Sequence, residues 1–141
     1  MNRILNIENL RKIYHTKKSE TLAVEDFSFE LNEGEFVAIV GPSGCGKSTI
    51  LSILCGLEEK SGGQFQFKDN YKVGYMLQQD SLFEWNTILK NCLLGLEIQG
   101  KLTEENKDYV IELLKNYGLG EFINSYPNNL SGGMRQRVVC I

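Results

Sequence analysis

The chain has 141 residues, 42% of them hydrophobic and 23% charged, and a net charge of −3. That length suits one domain, and the composition is that of a globular protein rather than a disordered or low-complexity one. The slight acidity gives no electrostatic case for nucleic acid as a partner. No apolar run approaches the ~20 residues needed to cross a bilayer. The N-terminus, Met1-Asn2-Arg3-Ile4-Leu5-Asn6, leads straight into a strand and lacks a signal-peptide core. Both features predict a product that stays in the cytoplasm. The four cysteines, Cys45, Cys55, Cys92 and Cys140, form no C-x-x-C pair and no metal-ligand spacing, so they read as free thiols acting as small apolar residues. The basic residues Lys12, Lys17 and Lys18 read as a solvated loop.

In chain order, residues 3–8 read as a first strand. In 22–31, Phe27, Phe29 and Leu31 alternate with Ser28 and Glu30, the pattern of an antiparallel strand with one wet face. Asn32-Glu33-Gly34 predicts a turn, and the apolar run Phe36-Val37-Ala38-Ile39-Val40 predicts a buried parallel strand over 35–40. Gly41-Pro42-Ser43-Gly44-Cys45-Gly46-Lys47-Ser48-Thr49 follows and spells G-x-x-x-x-G-K-[ST], a phosphate-binding loop. Ile50, Leu51, Ile53, Leu54 and Leu57 then recur at helical spacing.

The spelling of the loop has a chemical reason. Glycines at 41, 44 and 46 admit backbone angles closed to other residues, so successive N–H groups can wrap an anion. The helix behind adds the positive end of its dipole. Lys47 offers a point charge to the β- and γ-phosphates, the Ser48 hydroxyl is a Mg²⁺ ligand, and Thr49 continues the helix toward the α-phosphate. A glycine-rich turn that binds nothing would not account for the strand pattern before the loop and the helix pattern after it.

Ser61-Gly62-Gly63 predicts a turn, Gln64-Phe65-Gln66-Phe67 alternates, and residues 71–77 are a further strand candidate. The next segment is helical. Ile88, Leu89, Cys92, Leu93 and Leu96 lie at helical spacing. Thr103 is an N-cap with Glu104 and Glu105 in the first turn. Tyr109, Val110, Leu113, Leu114 and Tyr117 form one apolar stripe that reads as core, ended by Gly118. Pro127-Asn128-Asn129 reads as a loop.

Leu130-Ser131-Gly132-Gly133-Met134-Arg135-Gln136-Arg137-Val138 places a serine hydroxyl and glycine amides at a helix start, a second anion cradle. With the phosphate loop, this segment makes the chain resemble the ATP-binding subunits of ABC transporters, whose signature is LSGGQ followed by a basic helix. Met134 stands where that signature has Gln. The resemblance implies an α/β P-loop NTPase core with N-terminal antiparallel strands and a helical subdomain, incomplete at its C-terminus. Residues 1–79 would form the nucleotide-binding part, and 80–137 the helical subdomain with the signature. It implies ATP and Mg²⁺ as ligands. Tyr14 would stack on adenine, Gln78 would reach Mg²⁺ and the attacking water (adjacent Gln79 competes for that role), and Ser131, Gly132 and Gly133 would touch nucleotide across a head-to-tail dimer. Leu82-Phe83-Glu84-Trp85-Asn86-Thr87-Ile88 resembles the corresponding region of nitrate, sulfonate and taurine-type importers, near their contact with the membrane subunit. Trp85 also admits a plain core reading. The implied partners are a transmembrane permease and a second ATP-binding subunit, at the inner face of the cell membrane. The connection between Phe67 and Val73 is shorter than the family's usual loop.

The family's later equipment, an apolar strand ending in Asp-Glu and a histidine that senses the γ-phosphate, finds no match. No run of four apolar residues precedes an Asp-Glu pair, and the sole histidine, His15, lies before the phosphate loop. The expectation is a chain truncated after its signature and deficient in hydrolysis. The alternative is a non-catalytic, nucleotide-binding remnant that no longer supports transport.

Overall fold

The structure, a computed structural model, describes residues 2–69 and 71–141. Met1, in the lead-in to the first strand, and Asn70, in the shortened connection, lie outside the described residues. The chain divides into two units, Met1–Tyr75 and Met76–Ile141.

In the first unit, strand β1 (Arg3–His15) pairs antiparallel with β2 (Glu20–Asn32) on one side and β3 (Gly62–Phe67) on the other, in the order β2-β1-β3. The hairpin between β1 and β2 closes through Thr16, whose backbone N–H and hydroxyl both donate to the Ser19 carbonyl. Helix α1 (Lys47–Leu54) lays Ile50 and Ile53 against Leu5, Ile7, Leu10 and Val24 of the sheet, and Phe27, Phe29, Phe65 and Phe67 close around them. Burial of those aliphatic chains, each worth about 1.5–3 kcal/mol, sets which face of the sheet carries the helix.

The buried face of β1 changes phase at Asn9. Leu5 and Ile7 point inward, then Leu10 and Lys12 do, so the period of two slips by one residue. Asn9 has φ of 49°, and the register of both neighbouring strands shifts beside it. Its backbone N–H donates to Ser28 Oγ and its side chain to Asp26 Oδ1, which pins the bulge. Lys12 is therefore 9% exposed, and the solvated-loop reading of this lysine is corrected, whereas Lys17 and Lys18 lie exposed in the turn.

Two expected strands do not form. Residues 35–40 form no strand, with Phe36 96% and Val40 90% exposed, and 71–77 make none either. A strand is stabilised by neighbours that take its N–H and C=O groups. Neither run has such a neighbour among the described residues, so apolar composition alone does not order them into a sheet. Val37 and Ile39 line a cavity of about 430 Å³ together with apolar side chains of β1, β2 and α1.

The second unit is helical. It comprises helices α2 (Ile88–Ile98), α3 (Glu104–Asn116) and α4 (Gly132–Val139), with 3₁₀ turns at Gly120–Phe122 and Pro127–Asn129 between α3 and α4. Ile88, Leu93, Val110, Leu114, Leu119, Leu130 and Val138 form its core. Thr87 and Thr103 cap α2 and α3 by accepting from the N–H groups of Lys90 and Asn106. The stripe on α3 is narrower than its sequence suggests. Val110 and Leu114 are buried, but Tyr109 and Tyr117 are exposed, their hydroxylated rings lying at its margins. Among the described residues, no helix is long and apolar enough to cross a membrane.

Candidate functional site

The loop 41–46 is held open by two left-handed glycines, Gly44 (φ 81°) and Gly46 (φ 90°). Gly46 is needed twice over. A Cβ there would stand 2.3 Å from the Ala23 carbonyl oxygen and 3.1 Å from a Val24 methyl, so the loop seats directly on β2. Gly46 is also the N-cap of α1, and no side chain caps the first turn. The N–H groups at that helix start are therefore not spent on a side-chain acceptor, and they face the loop's mouth with the helix dipole behind them.

The Lys47 ammonium folds back over the loop. It donates to the carbonyls of Gly41 at 2.8 Å and Pro42 at 2.7 Å and lies 3.4 Å from Cys45 Sγ. The only covalent tether is a flexible stem, so an incoming anion can draw the ammonium off these carbonyls. Ser48 is exposed at the next position and Thr49 is half-buried. The loop is reached from the turn at Asn32, whose N–H and side-chain amide both donate to the Glu35 carboxylate. The backbone bond, then the side-chain bond, holds that carboxyl below its ordinary range.

Tyr14 is half-buried near the end of β1, on the same face as Lys12, whose ammonium lies 4.7 Å from the ring centroid. Among the described residues no group of three or more His, Cys, Asp and Glu side chains is placed to hold a metal ion. The loop offers the hydroxyls of Ser43, Ser48 and Thr49 and no carboxylate, with Ser48 the metal ligand expected from the motif. That suits Mg²⁺, which keeps several waters and takes its remaining ligands from phosphates.

In the second unit, Ser131 is the N-cap of α4 and accepts from the Met134 N–H at 3.4 Å. Gly132 and Gly133 are exposed, and a Cβ on either would meet nothing within 4 Å, so their backbone stands open to solvent. Met134 packs against the helical core, which explains why an apolar residue serves at this position. Gln78 and Gln79 are both exposed, and Gln78 lines a cavity of about 380 Å³ with Asp80, Gln136 and Cys140. Two residues here escaped the sequence reading. Asp80 accepts from Arg135 Nε at 2.7 Å and ties the glutamine segment to α4. Asn91 accepts from the Phe83 N–H and donates to the carbonyls of Phe83, Asn86 and Thr87, fixing the turn before α2. That turn displays Phe83 and Trp85 with ring centroids 5.0 Å apart, and Trp85 is 74% exposed, so it is no core aromatic.

A glycine loop seated on a sheet at an uncapped helix start, with a lysine folded over it, defines an α/β protein of the P-loop class. Residues 24–141 match the family described as ABC transporter, and the chain belongs to it. It is 45% identical over 139 residues to the ABC transporter ATP-binding protein YtlC of Bacillus subtilis, covering 94% of this chain and 54% of YtlC. It is 38% identical over 141 residues to the aliphatic sulfonates import ATP-binding protein SsuB of Bacillus cereus, covering 95% of this chain and 55% of that one. The fold superposes on a dimeric bacterial ABC transporter cassette with a TM-score of 0.83 at 32% identity, covering 96% of this chain and 67% of the cassette. The chain spans about half the length of the curated relatives it matches. The expected fold, an ABC-type P-loop core with N-terminal antiparallel strands and a helical part, incomplete against the full cassette, therefore holds.

Proposed function

We propose that the chain is the nucleotide-binding portion of a subunit that binds and hydrolyses ATP to energise an ABC importer. Residues 1–79 carry the nucleotide and 80–137 carry the signature. The observation behind this reading is the Lys47 ammonium resting on the Gly41 and Pro42 carbonyls at the uncapped start of α1. In this reading the β- and γ-phosphates replace those carbonyls as its partners. The amides of the loop from Gly41 to Gly46, with Pro42 fixing its entry, surround the anion, and Thr49 lies at the α-phosphate. Ser48 takes Mg²⁺, which neutralises phosphate charge when bound. Tyr14 stacks on the base, a contact worth about 1–3 kcal/mol. Gln78 supplies an amide oxygen to the metal and the water.

Ser131, Gly132 and Gly133 act on the nucleotide held by a second chain in a head-to-tail dimer. Their open backbone supports that role, and the structural relative is itself dimeric. The exposed pair Phe83 and Trp85 supports contact with a permease at the inner face of the cell membrane. The likeness to the aliphatic sulfonates import protein SsuB supports a sulfonate or taurine-like solute; a nitrate-like solute rests on the 82–88 segment alone. In this reading residues 1–141 bind Mg-ATP without turning it over, since they hold no Asp-Glu pair after an apolar run and no histidine beyond His15.

The test is calorimetric titration with Mg-ATP beside a steady-state ATPase assay. Binding lost in Lys47→Ala, with no turnover in either form, is the expected result. Equal binding by both forms would reject the site, and turnover that Lys47→Ala abolishes would reject the hydrolysis deficiency.

A further inference from the structure

We propose that Lys12 is a positioning residue for the nucleobase platform: clamped from below, it holds the Tyr14 ring flat for a purine to stack on its opposite face. The inference rests on the assignment of Tyr14 to the base. It arises from the bulge at Asn9, which turns residues 10 and 12 to the buried side of β1. Lys12 would otherwise face water. Its ammonium instead donates to Glu58 Oε2 at 3.0 Å and to the Glu59 carbonyl at 2.6 Å, just past the end of α1. The same nitrogen stands 4.7 Å from the centroid of the Tyr14 ring.

A lysine has three N–H donors. Two are committed to residues 58 and 59, and the charge then lies against the π-face of the ring. The side chain is only 11% exposed, so the attraction is little screened by water. Residue 58 is itself tied down, since the N–H groups of Leu57 and Glu58 both donate to the Ser52 carbonyl of α1. The ring is thus coupled through Lys12 to the end of the helix that begins at the phosphate loop. Stacking requires a ring already in one orientation, because ordering a free tyrosine on binding costs affinity.

The test compares ATP with inorganic tripolyphosphate, which has no base, by calorimetry on the 141-residue chain. Lys12→Met is expected to weaken ATP by about three- to tenfold and leave tripolyphosphate unchanged. Lys12→Arg should restore ATP affinity, and Glu58→Gln should weaken it by less than Lys12→Met does. Circular dichroism melts establish that each variant folds; if Lys12→Met does not, Lys12→Arg and Glu58→Gln decide the matter. The proposal is overturned if Lys12→Met weakens both ligands equally, if arginine fails to rescue, or if Glu58→Gln leaves ATP affinity unchanged. Tyr14→Ala separates the two layers. If it leaves the ratio of the two affinities unchanged, the assignment of Tyr14 has failed, and Lys12 with it. If it lowers ATP affinity alone while Lys12→Met does nothing, only the positioning role has failed.

Discussion

Replacing Gly46 with alanine should be far more damaging than the same change at Gly44, although both glycines are left-handed. At Gly44 (φ 81°) an added Cβ meets nothing within 4 Å, so the cost is the backbone alone, about 1–2 kcal/mol. At Gly46 (φ 90°) the same backbone cost applies, and the Cβ lands 2.3 Å from the Ala23 carbonyl oxygen, 3.3 Å from its carbon and 3.1 Å from a Val24 methyl. The oxygen contact is about 1 Å inside ordinary van der Waals separation. Ala23 lies at an irregularity of β2, but its neighbours Leu22 and Val24 pair with Ile13 and Lys12 of β1, so the carbonyl is held from both sides and cannot retreat cheaply. Overpacking of this kind adds about 1–3 kcal/mol, bringing Gly46→Ala to about 2–5 kcal/mol. Urea unfolding followed by far-ultraviolet circular dichroism measures both variants. Equal losses at the two positions would refute the seating of the loop on β2.

Other expectations follow from the second unit and the thiols. A double-mutant cycle of Asp80→Asn and Arg135→Gln should show a coupling of about 1–2 kcal/mol in unfolding, since the pair is part-buried and charge-assisted; strict additivity would contradict the pairing. Cys45 and Cys140 are exposed and should react with a thiol reagent at pH 8 well before Cys55 and Cys92. Burial pushes the Cys92 thiol from an ordinary 9.0 up to about 11, and raises Cys55 as well. The folded state thus favours the neutral Cys92 thiol. Its contribution to stability is complete below pH 9 and is lost as pH rises from there through 11. Cys92→Ala should flatten that part of the stability profile, and an unchanged slope would count against the burial of this thiol.

What could be read from the sequence was local. The glycine loop, the helix after it, the cap at Thr103 and the helix start at Ser131 are written in neighbouring residues, and each formed. What could not be read was made at a distance. Residues 36–40 have the composition of a buried strand, but pairing is a property of partners, and the run is exposed. Lys12 looked like part of a solvated loop because it is basic and lies past the run read as a strand; the strand in fact continues to His15, and a one-residue bulge at Asn9 turns residue 12 inward. The only advance sign was the asparagine itself, a residue that tolerates left-handed backbone. Trp85 was ambiguous for a related reason: hydrophobicity does not say whether a partner or the protein's own core covers it.

The central claim is that the loop at 41–49 receives the phosphates of a nucleotide. Amide chemical shifts recorded during titration of the isotope-labelled chain with inorganic tripolyphosphate test it most directly. The account predicts that the largest shifts fall on Gly44, Gly46, Lys47 and Ser48, and that Lys47→Ala abolishes them. Shifts centred elsewhere, or a response at those four amides that survives loss of the lysine, would contradict it.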